Sequence, residues 1–303
     1  MTATALAPTA PPPVAYHRAL GWLASAGTLP YVLLKILWLA GSPVGTRDPA
    51  FLADPVIHTM NAVTLGMDLV VVALALALTH RWGARLPPWL VLLPMWVGTG
   101  FLVPMAVAIA PATVVTIATG AIGTGPLQPW VQPMVYGGFA WQGIFLSAAF
   151  VVYARSRWGG VVTATTPAAP GLLPLLRVIA GGGIVMAAIS AVLQLAGGLA
   201  GGDLIGLAVQ TVNAALPAIG AAGVLALVRG TLRPWVATAA AWTGTAAMFS
   251  WGLYNTAIAT LHTPLVAGST ALGMAQLTGL LGGFALAVAG LIALTGKCAA
   301  APR

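Results

Sequence analysis

Two charges lie deep inside stretches apolar enough to cross a bilayer: Lys35, in the outer half of the first stretch, and Asp68, near the middle of the second. An ion in hydrocarbon is costly, so an intramembrane charge is the first candidate for function. The two stretches run in opposite directions, and the flexible lysine stem can carry its ammonium to the carboxylate, neutralising both. Such a pair reads first as a structural ion pair; the competing reading gives Asp68 a proton, ion or substrate role. Asp68 also ends a polar stripe, because His58, Asn61, Thr64 and Asp68 follow at spacings of three, three and four and so share one helix face. Gln210 and Asn213 echo His58 and Asn61 in the sixth stretch. Gln142 in the fourth, Tyr254 and Asn255 in the seventh and Gln276 in the eighth are further candidates for a polar cavity lining. Each taken alone is more often a helix-packing hydrogen bond.

His58 and His262 are both expected at the outer membrane surface, near Asp54 and Asp203. They make a candidate metal or cofactor set if the fold brings them together, although their spacing carries no motif. Other chemistries are excluded more firmly. The chain has four Asp and no Glu, and only one carboxylate inside a span, so paired-carboxylate acid/base catalysis is not expected. GxSxG, Walker A, HExxH and aspartate-rich diphosphate motifs are absent. Cys298 is the only cysteine, which rules out an intrachain disulfide or a CxxC motif. No catalytic residue is assigned, and the chain leans away from being an enzyme.

These residues have to be positioned by a membrane bundle. At 303 residues, 59% hydrophobic and 5% charged, with mean hydropathy +0.97, the chain has too little polar surface for a soluble globule. Eight apolar runs, near 20–41, 57–79, 88–112, 131–153, 173–198, 204–228, 234–259 and 265–295, each reach the length of about 20 residues that a spanning helix needs. Arg18, Arg81, Arg85, Arg155, Arg157, Arg229, Arg233, Lys297 and Arg303 fall on one side of the runs. The other side holds only Arg47, Asp48, Asp54 and Asp203. The positive-inside rule then places both termini in the cytoplasm, with Arg177 snorkelling to that side. The formal charge of +8 follows from this asymmetry. No basic cluster with interleaved aromatics points to nucleic acid. Residues 1–17 read as a disordered cytoplasmic tail without the charged start of a secretory signal. The preference for Arg over Lys and the Ala/Gly richness suggest a bacterial plasma membrane protein from a high-GC source.

The third run begins Pro88-Trp89 and continues to Trp96, Gly98 and Thr99; the seventh begins Pro234-Trp235 and continues to Trp242, Gly244 and Thr245. Both show PW, six residues, then WxGT. Four spans separate them, so the repeat is parallel: residues 18–158 form one four-helix half and 172–297 the other. Leu37 to Gly41 aligns with Leu193 to Gly197, Gln142 with Gln276, Asn61 with Asn213, and Asp68 with Gly220. Pro111 to Pro129 is extra in the first half and is expected as a plain loop with a little helix, or as a re-entrant segment. Gly98 and Gly244 are expected to allow close backbone approach. Trp22, Trp82, Trp89, Trp130, Trp158 and Trp235 are expected as interfacial anchors.

The segment Leu34 to Trp38, the Trp89 to Thr99 stretch, and Gln128 to Trp130 with Trp141 to Gly143 resemble uncharacterised multi-pass membrane proteins common in actinobacteria, a resemblance that implies no activity. Eight spans as a parallel 4+4 repeat also look like the architecture of haem A synthase. That family carries haem-ligating histidines in its even-numbered spans, of which only His58 has a counterpart here. The reading is thus an all-α integral membrane bundle of eight transmembrane helices. Its leading function is permease-like binding or transport of a small molecule or ion through a cavity lined by Lys35, Asn61, Asp68, Asn213 and the other amides. A haem- or cofactor-containing redox enzyme and a non-catalytic membrane subunit, with a homo-oligomer as a candidate partner arrangement, are the alternatives.

Overall fold

The computed structural model describes residues 15–120, 125–163, 170–260 and 270–300, and is helical almost throughout. The main helices are α1 (Ala15–Leu39), α3 (Pro55–Thr79), α4 (Pro88–Pro104), α6 (Val131–Thr163), α7 (Leu173–Gly201), α8 (Leu204–Arg229), α9 (Pro234–Thr260) and α10 (Thr270–Ala300). A short α2 (Pro49–Ala53) lies between α1 and α3, and α5 (Ala110–Ala118) extends α4. Local chemistry sets the ends. Asp54 accepts from the Val56 and Ile57 N–H groups before Pro55, Asp203 accepts from Gly206 N–H, and Asp48 caps α2. Gly202 and Gly230, at φ of 71° and 68°, close α7 and α8 in the left-handed conformation that glycine tolerates best.

Seven helical segments are long and apolar enough to cross a membrane. Their outward faces carry Leu33, Leu69, Val178, Val192, Leu199, Phe284 and Leu291, all more than half exposed, a surface that only lipid suits. The chain is built as a multi-pass membrane protein. The sequence expects eight such segments, and α9 is the one that falls short: it has 27 residues, but many are Ala, Thr and Gly. Its position explains the composition. Gly244, Thr245, Ala246, Ala247 and Met248 are five consecutive buried residues, more than a full turn, so α9 is enclosed on every side at that level. A helix screened from lipid by α4, α8 and α10 has less need of large apolar side chains.

Neighbouring helices run up and down. α1 packs on α3 and α6, and α7 packs on α8 and α10; α4 and α9 join the two halves. The first half has a core of Ala24, Leu74, Leu78, Val91, Met95 and Leu146, the second one of Leu176, Val224, Leu227, Leu286 and Ala289. The segment beyond residue 111, expected as a loop with a little helix, is helical to Ala118 and then leaves the helix. Pro111 has no N–H to give, and a π turn over Met105–Ile109 absorbs the break. Thr113 and Thr116 return their hydroxyls to the carbonyls of Ile109 and Ala112, which keeps this uncharged stretch satisfied in an apolar setting. α1 begins at Ala15, inside the stretch assigned to the tail; residues 1–14 lie outside the described residues.

Candidate functional site

The fold brings Lys35 and Asp68 together. α1 and α3 lie side by side, and Lys35 Nζ donates to Asp68 Oδ2 at 2.7 Å, with the two residues 0% and 5% exposed. The ammonium also sits 3.9 Å from the centre of the Tyr31 ring, one turn earlier on α1. Tyr31 packs edge-on against Trp38 and Phe139, which fixes its face toward the lysine. It lies within Coulombic range of Asp68 and of the Tyr136 and Tyr254 hydroxyls, from α6 and α9. Two opposite charges are therefore held in the interior as a neutral unit, with the face of the Tyr31 ring against the ammonium.

The rest of the stripe on α3 is less uniform. Asn61 is buried, Thr64 returns its hydroxyl to Met60 O at 2.7 Å, and His58 is exposed in the first turn of α3. His262 lies outside the described residues. The Asp54 and Asp203 carboxylates, expected near these histidines, serve as helix caps.

A second polar locus occupies the other half. Ser190 and Gln194 of α7, Asn213 of α8, Trp251 of α9 and Gln276 of α10 line a chamber of about 40 Å³, with Pro104 of α4 and Pro217 closing it. That is room for roughly two or three waters. Gln194 Oε1 and Trp251 Nε1 are buried without a hydrogen-bond partner among the described residues, and both belong to this lining. A buried acceptor and a buried donor left open are costly unless something small and polar joins them. Asn213 Nδ2 donates to Gln210 Oε1 at 3.4 Å at its edge. Asn255 instead returns its amide to Trp251 O, and Gln142 is buried in the first half with Nε2 unpartnered. Lys35, Asp68 and Asn61 do not line this chamber. An aromatic bridge of Trp251, Tyr254 and Phe101 lies between the halves, with ring centres 5.7 to 6.0 Å apart.

Sequence reasoning passed over Tyr31, Ser190 and Gln194. Gln194 aligns with Trp38 in the proposed repeat, and a polar residue at a position occupied by a buried indole was the available signal. The interfacial tryptophans divide: Trp22, Trp82, Trp89, Trp130 and Trp235 are exposed, whereas Trp158 is turned against Tyr153 where α6 bends.

The deeper pair of tryptophans forms a crossed seam. Trp96 Nε1 donates to Thr245 Oγ1 at 3.2 Å, and Trp242 Nε1 donates to Thr99 Oγ1 at 3.1 Å. Each WxGT motif therefore supplies the donor to one bond and the acceptor to the other. The glycines of the two motifs differ. A Cβ at Gly244 would collide with the backbone of Leu216 and Gly220 on α8, whereas a Cβ at the equally buried Gly98 would meet nothing within 4 Å. Close approach thus holds for Gly244 and fails for Gly98; α8 packs extensively on α9, whereas α3 and α4 touch only sparsely. Comparison with protein-family models, with curated proteins and with solved structures finds no match. The two resemblances drawn from sequence gain nothing from it, and the candidate site rests on its geometry.

Proposed function

We propose that this chain is a permease-like membrane protein that binds and moves a small molecule or ion, built as eight spans in two parallel four-helix repeats with its basic end in the bacterial cytoplasm. α9 is the eighth span. The crossed Trp–Thr bonds support the repeat, since a pseudo-twofold contact pairs each position with its counterpart's partner.

The observation that carries the reading is the buried Lys35–Asp68 ion pair. In the repeat alignment Asp68 and Gly98 stand where Gly220 and Gly244 touch in the other half. A charged pair buried this deeply is seldom better for stability than an apolar pair of the same size, which leaves function as the reason to keep it. In the transport cycle Asp68 exchanges Lys35 for an incoming cation or proton, and the tyrosines screen the carboxylate from lipid.

The test is proton, Na⁺ and K⁺ flux into liposomes holding the purified protein, driven by an imposed membrane potential. The wild type should carry at least one of these cations faster than protein-free vesicles. The double variant Lys35→Met with Asp68→Leu, which replaces the pair by apolar groups of similar size, should fold and lose the flux. Undiminished flux in that variant, or none in the wild type, would make the pair structural and the chain a non-catalytic membrane subunit.

A further inference from the structure

We propose that the cleft between α7 and α8 at the basic end of the bundle binds one anionic phospholipid, with its phosphate between Arg177 and Arg229. The cleft has a volume of about 530 Å³, within the range of small-molecule sites. Leu173 opens α7 and Arg229 closes α8, so the two arginines come to the same end of an antiparallel pair. Both are exposed.

The charge balance there is unusual. All four Asp of the chain lie elsewhere: Asp68 is held by Lys35, while Asp48, Asp54 and Asp203 cap helices at the opposite end, and there is no Glu. Among the described residues, no carboxylate side chain therefore answers the two guanidinium groups on this cleft. Arg157, at the same end, is differently placed: it donates to the Tyr153 hydroxyl and to Leu86 O. Planar guanidinium groups suit phosphate oxygens, and two on adjacent helices can hold one phosphate from both sides.

Below the arginines the lining turns apolar. Leu176, Ala180 and Ile184 from α7 face Leu225 and Val228 from α8. Ile184 lies seven residues past Arg177, about 10 Å deeper along the helix axis. A charged mouth above an apolar shaft, opening toward lipid, fits a headgroup with an acyl chain better than a free anion. Helix packing alone does not require such a cleft: at the corresponding end of α1 and α3, Gly21 brings the helices together against Ala75 and Thr79.

The experiment is native mass spectrometry of the delipidated full chain titrated with phosphatidylglycerol, phosphatidylcholine or inorganic phosphate. Phosphatidylglycerol should bind about tenfold more tightly than phosphatidylcholine, the scale of one charge-assisted hydrogen bond. Arg177→Gln with Arg229→Gln should erase that preference. Gly181→Leu keeps both arginines and projects into open space in the cleft, so it fills the shaft without a clash. It should weaken phosphatidylglycerol binding by about tenfold or more, on the scale of a displaced apolar contact. Equal binding of the two lipids by the wild type would overturn the proposal. So would wild-type lipid affinity in Gly181→Leu together with displacement of the lipid by inorganic phosphate, a result that would leave a simple anion site.

Discussion

Replacing Lys35 by methionine tests whether the ion pair is as buried as its geometry indicates. At 2.7 Å, and with an effective dielectric of about 20, the Coulomb attraction is roughly 6 kcal/mol. Desolvating the two ions takes back most of that, so the intact pair contributes little relative to apolar groups of the same volume. Removing one partner is another matter, because it strands the other charge: Lys35→Met should cost about 3–5 kcal/mol. Asp68→Leu should cost no more, since the orphaned ammonium keeps the face of Tyr31. The double variant should return to within about 1 kcal/mol of the wild type or exceed it. Unfolding in mixed micelles with rising SDS, followed by tryptophan fluorescence, gives all four corners of the cycle. Single losses below about 1 kcal/mol that add in the double variant would refute the reasoning, because they describe a solvated pair.

The crossed seam predicts matched costs: Trp96→Phe and Trp242→Phe each remove one interhelical bond, while the threonine hydroxyl keeps its bond to Ala241 O or Met95 O, and should each lose about 0.5–2 kcal/mol in the same unfolding assay. The two WxGT glycines should respond in opposite directions. Gly244→Ala should destabilise by about 2 kcal/mol or more through backbone collision, whereas Gly98→Ala should be neutral or gain about 0.5–1 kcal/mol of helix propensity. Asp54→Ala and Asp203→Ala should each cost about 0.5–2 kcal/mol as lost helix caps, with increased amide exchange confined to the first turns of α3 and α8.

Hydropathy and the spacing of Pro, Gly and Asp made the helices legible, because in lipid each span must satisfy its own backbone and the signal is local. One departure has a tertiary cause. α9 reads as one more apolar run, yet its Ala, Thr and Gly content reflects enclosure by other helices, a tertiary property. The little helix expected past Pro111 is present, but the sequence does not mark the π turn by which α4 runs into it. Lys35 and Asp68 were legible as a pair because so few charges compete for partners. The chamber was half legible: Asn213 and Gln276 stood out as amides in spans, but Gln194 and Trp251 acquire meaning only once neighbours on other helices leave their polar atoms open. The same limit applies to Gly98 and Gly244, which are identical in motif and opposite in surroundings.

That opposition is the most useful physical difference between the halves under the proposed repeat. Gly220 and Gly244 let α8 and α9 touch backbone to backbone, and nothing between them can move without breaking that contact. In the other half a carboxylate replaces the first glycine and the second faces open space. The carboxylate itself is held by a flexible lysine on a third helix. One half is therefore sealed by packing, which is short-ranged and gives little, and the other by an electrostatic bond, which a competing cation can displace. α4 takes part in both, through the seam with α9 and through its loose approach to α3. A rearrangement that frees Asp68 should accordingly shift α3 against α1 and α4 while leaving α8 and α9 in place. Distance changes between spin labels on α3 and α4 should then exceed those between labels on α8 and α9, and equal changes in both pairs would count against the asymmetry.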